Sequence, residues 1–262
     1  MAAIEPETEL PLQVRNLTVS FAARSIIRSV SFSLTAGSLT GIIGPNGAGK
    51  STLLRAILDL IPRDAGSVKI FGQNIKNNRR RIAYVPQKQT VDWDFPVTVL
   101  DVVLMGRYGQ SNHAIGRMLY RPAARDRQIA RDALEKLGMN DLENRHIRQL
   151  SGGQQQRVFL SRALCQNADI LLLDEPLTGV DVTTEKTIFS LIEQLTAERK
   201  TVLLVSHDLS ILERLDTVML LDRRVVAIGP PEQAATEDNL RRTYGGRLSL
   251  LDQAEAELMK MK

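Results

Sequence analysis

The sequence predicts a mixed α/β fold built around a glycine-rich phosphate loop, and three observations carry that expectation. Residues 44–52 read Gly-Pro-Asn-Gly-Ala-Gly-Lys-Ser-Thr, the pattern GxxxxGK[ST], between the apolar run Leu39–Ile43 and an amphipathic helix. A second apolar run, Ile170-Leu-Leu-Leu, ends in two carboxylates, Asp174 and Glu175, followed by Pro176. Further apolar runs at Val202–Val205 and Val218–Leu221 alternate with helical stretches, which implies a mostly parallel sheet.

Taken in order, residues 1–11 read as a frayed start. Leu12–Val19 and Ser29–Leu34 alternate apolar and polar side chains, as antiparallel strands do. Leu53, Leu54, Ile57, Leu58 and Ile61 form one helical face, and Pro62 is expected to stop that helix. From about Lys88 to Leu150 the chain is Arg-rich and mostly helical, with breaks at Gly109, Gly116 and Pro122. Trp93, Asp94, Phe95 and Pro96 lead into Thr98 and Asp101, which have capping-box spacing. The following residues, Val99, Leu100, Val102, Val103, Leu104 and Met105, are apolar nearly all round the helix. Such a helix either packs in a core or lines a groove for a partner's helix, the latter with Val102 and Leu104 on its exposed face. A helix around Ala123–Leu137 should end at Gly138, and a polar, partly helical tail closes the chain.

Composition narrows the function. The 262 residues carry 43% hydrophobic and 24% charged side chains, ordinary for a globular protein. A net charge of +4 is too small to point to nucleic acid. One cysteine, Cys165, excludes an internal disulfide, and three scattered histidines (113, 146 and 207) argue against a zinc or iron site within the chain. There is no run of 18 apolar residues and no basic-then-apolar leader pattern, so a reducing cytoplasm is the expected setting.

The motifs specify chemistry. Glycines 44, 47 and 49 let backbone N–H groups converge on phosphate oxygens, with Pro45, Asn46 and Ala48 between them. Lys50 can reach the β- and γ-phosphates, the Ser51 hydroxyl can hold Mg²⁺, and Thr52 continues the helix start. Asp174 can bind Mg²⁺ directly or through water, and Glu175 can orient or deprotonate an attacking water. Leu150-Ser-Gly-Gly-Gln-Gln-Gln-Arg157 opens another helix, with Ser151 as its N-cap and Gly152, Gly153 and Gln154 at a second phosphate-ready terminus.

Two phosphate-ready helix starts about 100 residues apart, one of them LSGGQ, resemble the ATP-binding cassette (ABC) ATPases. The resemblance covers roughly Leu12 to Gly229. It implies a RecA-like P-loop NTPase core with an antiparallel β subdomain (12–87 and 158–230), an inserted helical subdomain (88–157) and a C-terminal tail (231–262). It also implies that Phe21 stacks on adenine, where tyrosine is commoner. Gln87 in Tyr-Val-Pro-Gln matches the Q-loop and joins Ser51 and Asp174 as a Mg²⁺ ligand. Thr178-Gly-Val-Asp181 matches the D-loop through Asp181, with a departure at Thr178. His207 matches the switch histidine at the γ-phosphate. ATP and Mg²⁺ are the implied cofactors. Two chains would pair head to tail, sandwiching ATP between the loop of one and Ser151–Gln154 of the other.

Val91 to Gly109 and the C-terminal Asn239-Leu-Arg-Arg-Thr-Tyr-Gly245 resemble the manganese and zinc importer branch of that family. The resemblance implies an ATPase subunit at the cytoplasmic face of the plasma membrane. It would power a separate membrane permease and be served indirectly by an extracytoplasmic metal-binding protein. Manganese is the first expectation and zinc the second. Importers of iron chelates or another nutrient remain alternatives, as does a soluble ABC ATPase acting on nucleic acid.

Overall fold

A computed structural model describes residues 10–22, 24–88, 95–110 and 122–245. Trp93, Asp94, His113, Gly116 and the tail beyond Gly245 lie outside the described residues. In chain order the first elements are β1 (Leu12–Phe21), β2 (Arg24–Leu34), β3 (Leu39–Ile43), α1 (Lys50–Ile57), β4 (Ala65–Ile70), α2 (Ile75–Asn78) and β5 (Ile82–Val85). Then come α3 (Val99–Leu104), α4 (Ala124–Glu135), α5 (Gly152–Gln166), β6 (Ile170–Asp174) and α6 (Val182–Ala197). The last described elements are β7 (Thr201–Ser206), β8 (Thr217–Asp222), β9 (Arg224–Gly229), α7 (Pro231–Ala234) and α8 (Glu237–Tyr244). These elements divide into two compact units, one of residues 1–35, 39–75 and 205–262, the other of 36–38 and 76–204.

In the first unit β1 lies between β2 and β4, antiparallel to both. Leu12 and Val14, and after an irregularity at Asn16 also Leu17 and Val19, turn inward, against Ile27, Val30 and Leu34 of β2. All five residues of β3 are buried, and β3 pairs parallel with β8, which pairs antiparallel with β9. α1 is shorter than its apolar spacing suggests. Asp59 adopts a left-handed conformation, and the Leu60 N–H donates back to the Arg55 carbonyl at 2.9 Å. That left-handed cap closes the helix before Pro62 can act, leaving Leu58 and Ile61 half-buried.

In the second unit β5 pairs parallel with β6, and β7 lies beside β6. Every residue of β6 is buried, which is why its sequence is a continuous apolar run rather than an alternating one. α4 ends as its sequence suggests. Gly138 takes φ +62°, and the Met139 N–H donates to the Leu134 carbonyl at 2.9 Å. The capping box of α3 also forms, with the Thr98 hydroxyl accepting from the Asp101 N–H.

One expectation for α3 fails. Val102 and Leu104, expected on an exposed face, are 4% and 5% exposed, because α3 packs against both α4 and α5. Among the described residues nearby, Phe95, Met105 and Tyr108 are large apolar side chains that reach the surface.

Candidate functional site

The phosphate loop belongs to the first unit. β3 delivers Gly44 so close to β8 that a Cβ there would lie 2.1 Å from the Leu221 carbonyl oxygen. Gly47 and Gly49 take φ +83° and +96°, left-handed conformations that a side chain disfavours. Gly49 also faces the Ile27 side chain, 2.6 Å from where a Cβ would sit. The Arg223 N–H holds the Ala48 carbonyl at 2.9 Å, tying the loop to the β8–β9 turn. Lys50 is 5% exposed, and its Nζ donates to the Gly44 and Pro45 carbonyls at 2.7 and 3.1 Å. The ammonium is thus held over the loop rather than extended into solvent. Ser51 and Thr52 are half-buried in the first turn of α1. Phe21, at the end of β1, is 49% exposed. His207 follows β7 with its side chain exposed.

The carboxylates belong to the second unit. Asp174, the last residue of β6, is fully buried, and the Tyr84 hydroxyl donates to its Oδ2 at 3.2 Å. Glu175 follows in a left-handed conformation, φ +50°, which turns its side chain off the strand direction. Its Oε2 accepts from Gln87 Nε2 at 3.0 Å and from the Thr178 hydroxyl at 3.2 Å. The structure therefore brings Gln87, Asp174, Glu175 and Thr178 together. Tyr84 does not stand out in the sequence. Its link to Asp174 depends on the parallel register that sets Tyr84 opposite Leu172, and the sequence does not display that pairing. Behind β5, the half-buried Arg162 guanidinium donates to the Tyr84 carbonyl at 3.0 Å and lies 4.5 Å from the Phe159 ring centroid. Burial holds that guanidinium below its ordinary pKa.

The Leu150–Arg157 segment opens α5 in the same unit. The Ser151 hydroxyl accepts from the Gln154 N–H at 3.3 Å, and Gln154 Oε1 accepts from the Ser151 N–H at 2.9 Å. A Cβ on Gly153 would come within 3.0 Å of the Thr184 hydroxyl and 3.3 Å of Asp181 Oδ2, so the glycine permits the close approach of the α5 and α6 starts. A Cβ on Gly152 would meet Lys88 Nζ at 2.4 Å. Asp181 caps α6, taking the Thr184 N–H and hydroxyl, each at 2.9 Å. The Thr184 N–H, then its hydroxyl, hold the Asp181 carboxyl below its ordinary pKa. Cys165 is buried in α5 and His146 is exposed before it.

A sequence profile described as "ABC transporter" matches residues 27–178. The chain belongs to the ABC transporter family. Among this cassette's relatives, the manganese transport system ATP-binding protein MntB of Bacillus subtilis is 52% identical over 92% of this chain and 95% of its own length. The zinc transport system ATP-binding protein TroB of Treponema pallidum is 49% identical over 92% of this chain and 90% of its own. Two solved structures share the fold. An ATP-binding cassette in its ADP conformation matches with a TM-score of 0.75 and 26% identity, over 90% of this chain and 99% of its own. An inward-facing putative metal-chelate type ABC transporter matches at 0.76 and 28%, over 89% of this chain and 88% of its own.

Proposed function

We propose that this cassette hydrolyses ATP to drive uptake of a divalent transition metal, manganese first and zinc second, through a separate membrane permease. The observation that carries the reading is the roughly half-identical sequence shared with manganese and zinc transport ATP-binding proteins across nine-tenths of the chain. Among the described residues no group of three or more His, Cys, Asp or Glu is placed to hold a metal. Nor is any helix there long and apolar enough to cross a membrane. The reading assigns channel and metal selectivity to other subunits, an integral permease and an extracytoplasmic binding protein. The cassette would sit at the cytoplasmic face of the membrane.

The residue roles follow from local chemistry. Gly44–Thr52 cradles the ATP phosphates, with Lys50 supplying the fixed cation, and Phe21 offers an exposed ring to adenine. The hydroxyl of Ser51, the amide of Gln87 and the buried carboxylate of Asp174 are the oxygen ligands a hard cation would use, so the residues fit Mg²⁺. Mg²⁺ supplies charge neutralisation on the phosphates when bound. Glu175, whose Oε2 accepts from Gln87 and Thr178, is the carboxylate that orients a water and accepts its proton. His207 contacts the γ-phosphate. Ser151–Gln154 of one chain completes the site of a second in a head-to-tail homodimer, with Asp181 at that junction.

Glu175→Gln keeps the shape and removes the base. ATP binding should persist while turnover falls at least about a hundredfold. In cells lacking the gene, the wild-type chain should restore uptake of radiolabelled manganese, or failing that zinc, and Glu175→Gln should not. Unimpaired uptake of both metals in the deletion strain would refute the metal-importer reading.

A further inference from the structure

We propose that Tyr244, at the end of helix α8, is a positioning residue for the ATPase reaction, holding the main chain that carries His207. The inference rests on the role given to His207 above, and every residue it uses lies in the first unit.

The Tyr244 hydroxyl donates to the His207 carbonyl oxygen at 3.4 Å, across 37 residues of sequence. The tyrosine is 7% exposed although it lies on a strongly polar helix, Glu-Asp-Asn-Leu-Arg-Arg-Thr-Tyr. That helix is itself anchored. The Thr236 hydroxyl accepts from the Asn239 N–H at 3.4 Å, Asn239 Nδ2 donates to the Ala234 carbonyl at 3.0 Å, and α8 packs on β8 and β9. β8 is the strand whose Leu221 carbonyl abuts Gly44, so one rigid strand supports both the helix bearing Tyr244 and the phosphate loop.

Beside this long-range bond, the turn after β7 carries local ones. Asp208 N–H donates to the Ser206 hydroxyl at 3.0 Å and Ser210 N–H to Asp208 Oδ1 at 2.8 Å. Local bonds define the shape of a turn without fixing it to the rest of the fold. The Tyr244 hydroxyl adds a tie from outside the turn, on the carbonyl of the very residue whose side chain must face the nucleotide. Burial, and then the nearby Asp208 carboxylate, push the phenol up to about 12, so it remains a proton donor at any working pH. A wandering turn would leave ATP binding intact, because the phosphate loop is separate from it, and would lower the fraction of bound complexes in a reactive geometry.

The test compares Tyr244→Phe, His207→Ala and the double variant of the full chain, with ATP as the probe. Phenylalanine keeps the ring in its pocket and removes only the donor. The expected result is a three- to tenfold fall in kcat, the scale of one hydrogen bond, with KM and equilibrium ATP affinity unchanged. In the His207→Ala background the same change should have no further effect, because there is no imidazole left to position. An equal loss in both backgrounds, or a rise in KM matching the fall in kcat, would make Tyr244 merely structural and overturn the proposal. So would an unchanged kcat. Wild-type turnover in His207→Ala alone would instead overturn the role of His207, which separates the two failures.

Discussion

Replacing Gly44 by alanine probes how β3 delivers the phosphate loop. An ideal Cβ would lie 2.1 Å from the Leu221 carbonyl oxygen and 3.2 Å from its carbon. Comfortable non-bonded contacts between carbons lie at about 3.5–4.0 Å, so the loop or β8 must retreat by about 1 Å. The opposing atom is strand backbone, which cannot swing aside as a side-chain tip can. Overpacking of this kind costs about 1–3 kcal/mol, which at about 2–4 °C per kcal/mol lowers Tm by about 2–12 °C. The same retreat moves the Gly44 carbonyl that holds Lys50 Nζ at 2.7 Å, so ATP affinity should fall with stability. Calorimetry and titration with a fluorescent ATP analogue read the two effects. Gly47→Ala serves as a comparison in which only backbone strain acts, since Gly47 has φ +83° and an added Cβ would meet no heavy atom within 4 Å. Wild-type Tm and ATP affinity in Gly44→Ala would refute the reasoning.

The remaining predictions concern burial and titration. Burial pushes the Cys165 thiol up to about 11, and Tyr244 rises to about 12. In both cases the fold favours the protonated, neutral form. The stabilisation from Cys165 is therefore present below about pH 9 and lost as pH rises toward about 11, where the unfolded chain releases a proton that the fold retains. Denaturant titrations at pH 7.5 and 10.5 should show a smaller alkaline loss in Cys165→Ala than in wild type, and native Cys165 should resist alkylation at pH 8. Val102→Glu should abolish folding rather than selectively uncouple transport, because the side chain is 4% exposed and an unpaired carboxylate there costs several kcal/mol. Met105→Glu, at 36% exposure, should instead give a folded, ATP-binding chain. A soluble, cooperatively unfolding Val102→Glu protein would contradict the packing of α3.

Much of this molecule was legible in one dimension because its chemistry is written in local patterns. The phosphate loop is nine contiguous residues between an apolar strand and a helix, and its glycines answer to conformations that the motif itself implies. The capping box of Thr98 with Asp101 is a three-residue spacing and forms as expected, and Ser151 caps α5 as its place before the helix suggests. The fully buried strands β3, β6 and β7 announce themselves as continuous apolar runs. Local spacing failed where a competing local device won. Asp59 in a left-handed cap ended α1 ahead of Pro62, and nothing in the apolar periodicity distinguishes the two stops.

What the sequence by itself determined was the family, the loop chemistry and the mixed α/β class, because each rests on neighbours in the chain. What only the tertiary structure decided were the long-range partners. Tyr84 on Asp174 needs the β5–β6 register, Gln87 and Thr178 on Glu175 need the left-handed turn after β6, and Tyr244 on His207 needs α8 to pack on β8. The burial of Val102 and Leu104 belongs with them. An apolar helix face carries the same letters whether a neighbouring helix or a partner covers it, and only packing against α4 and α5 settles which.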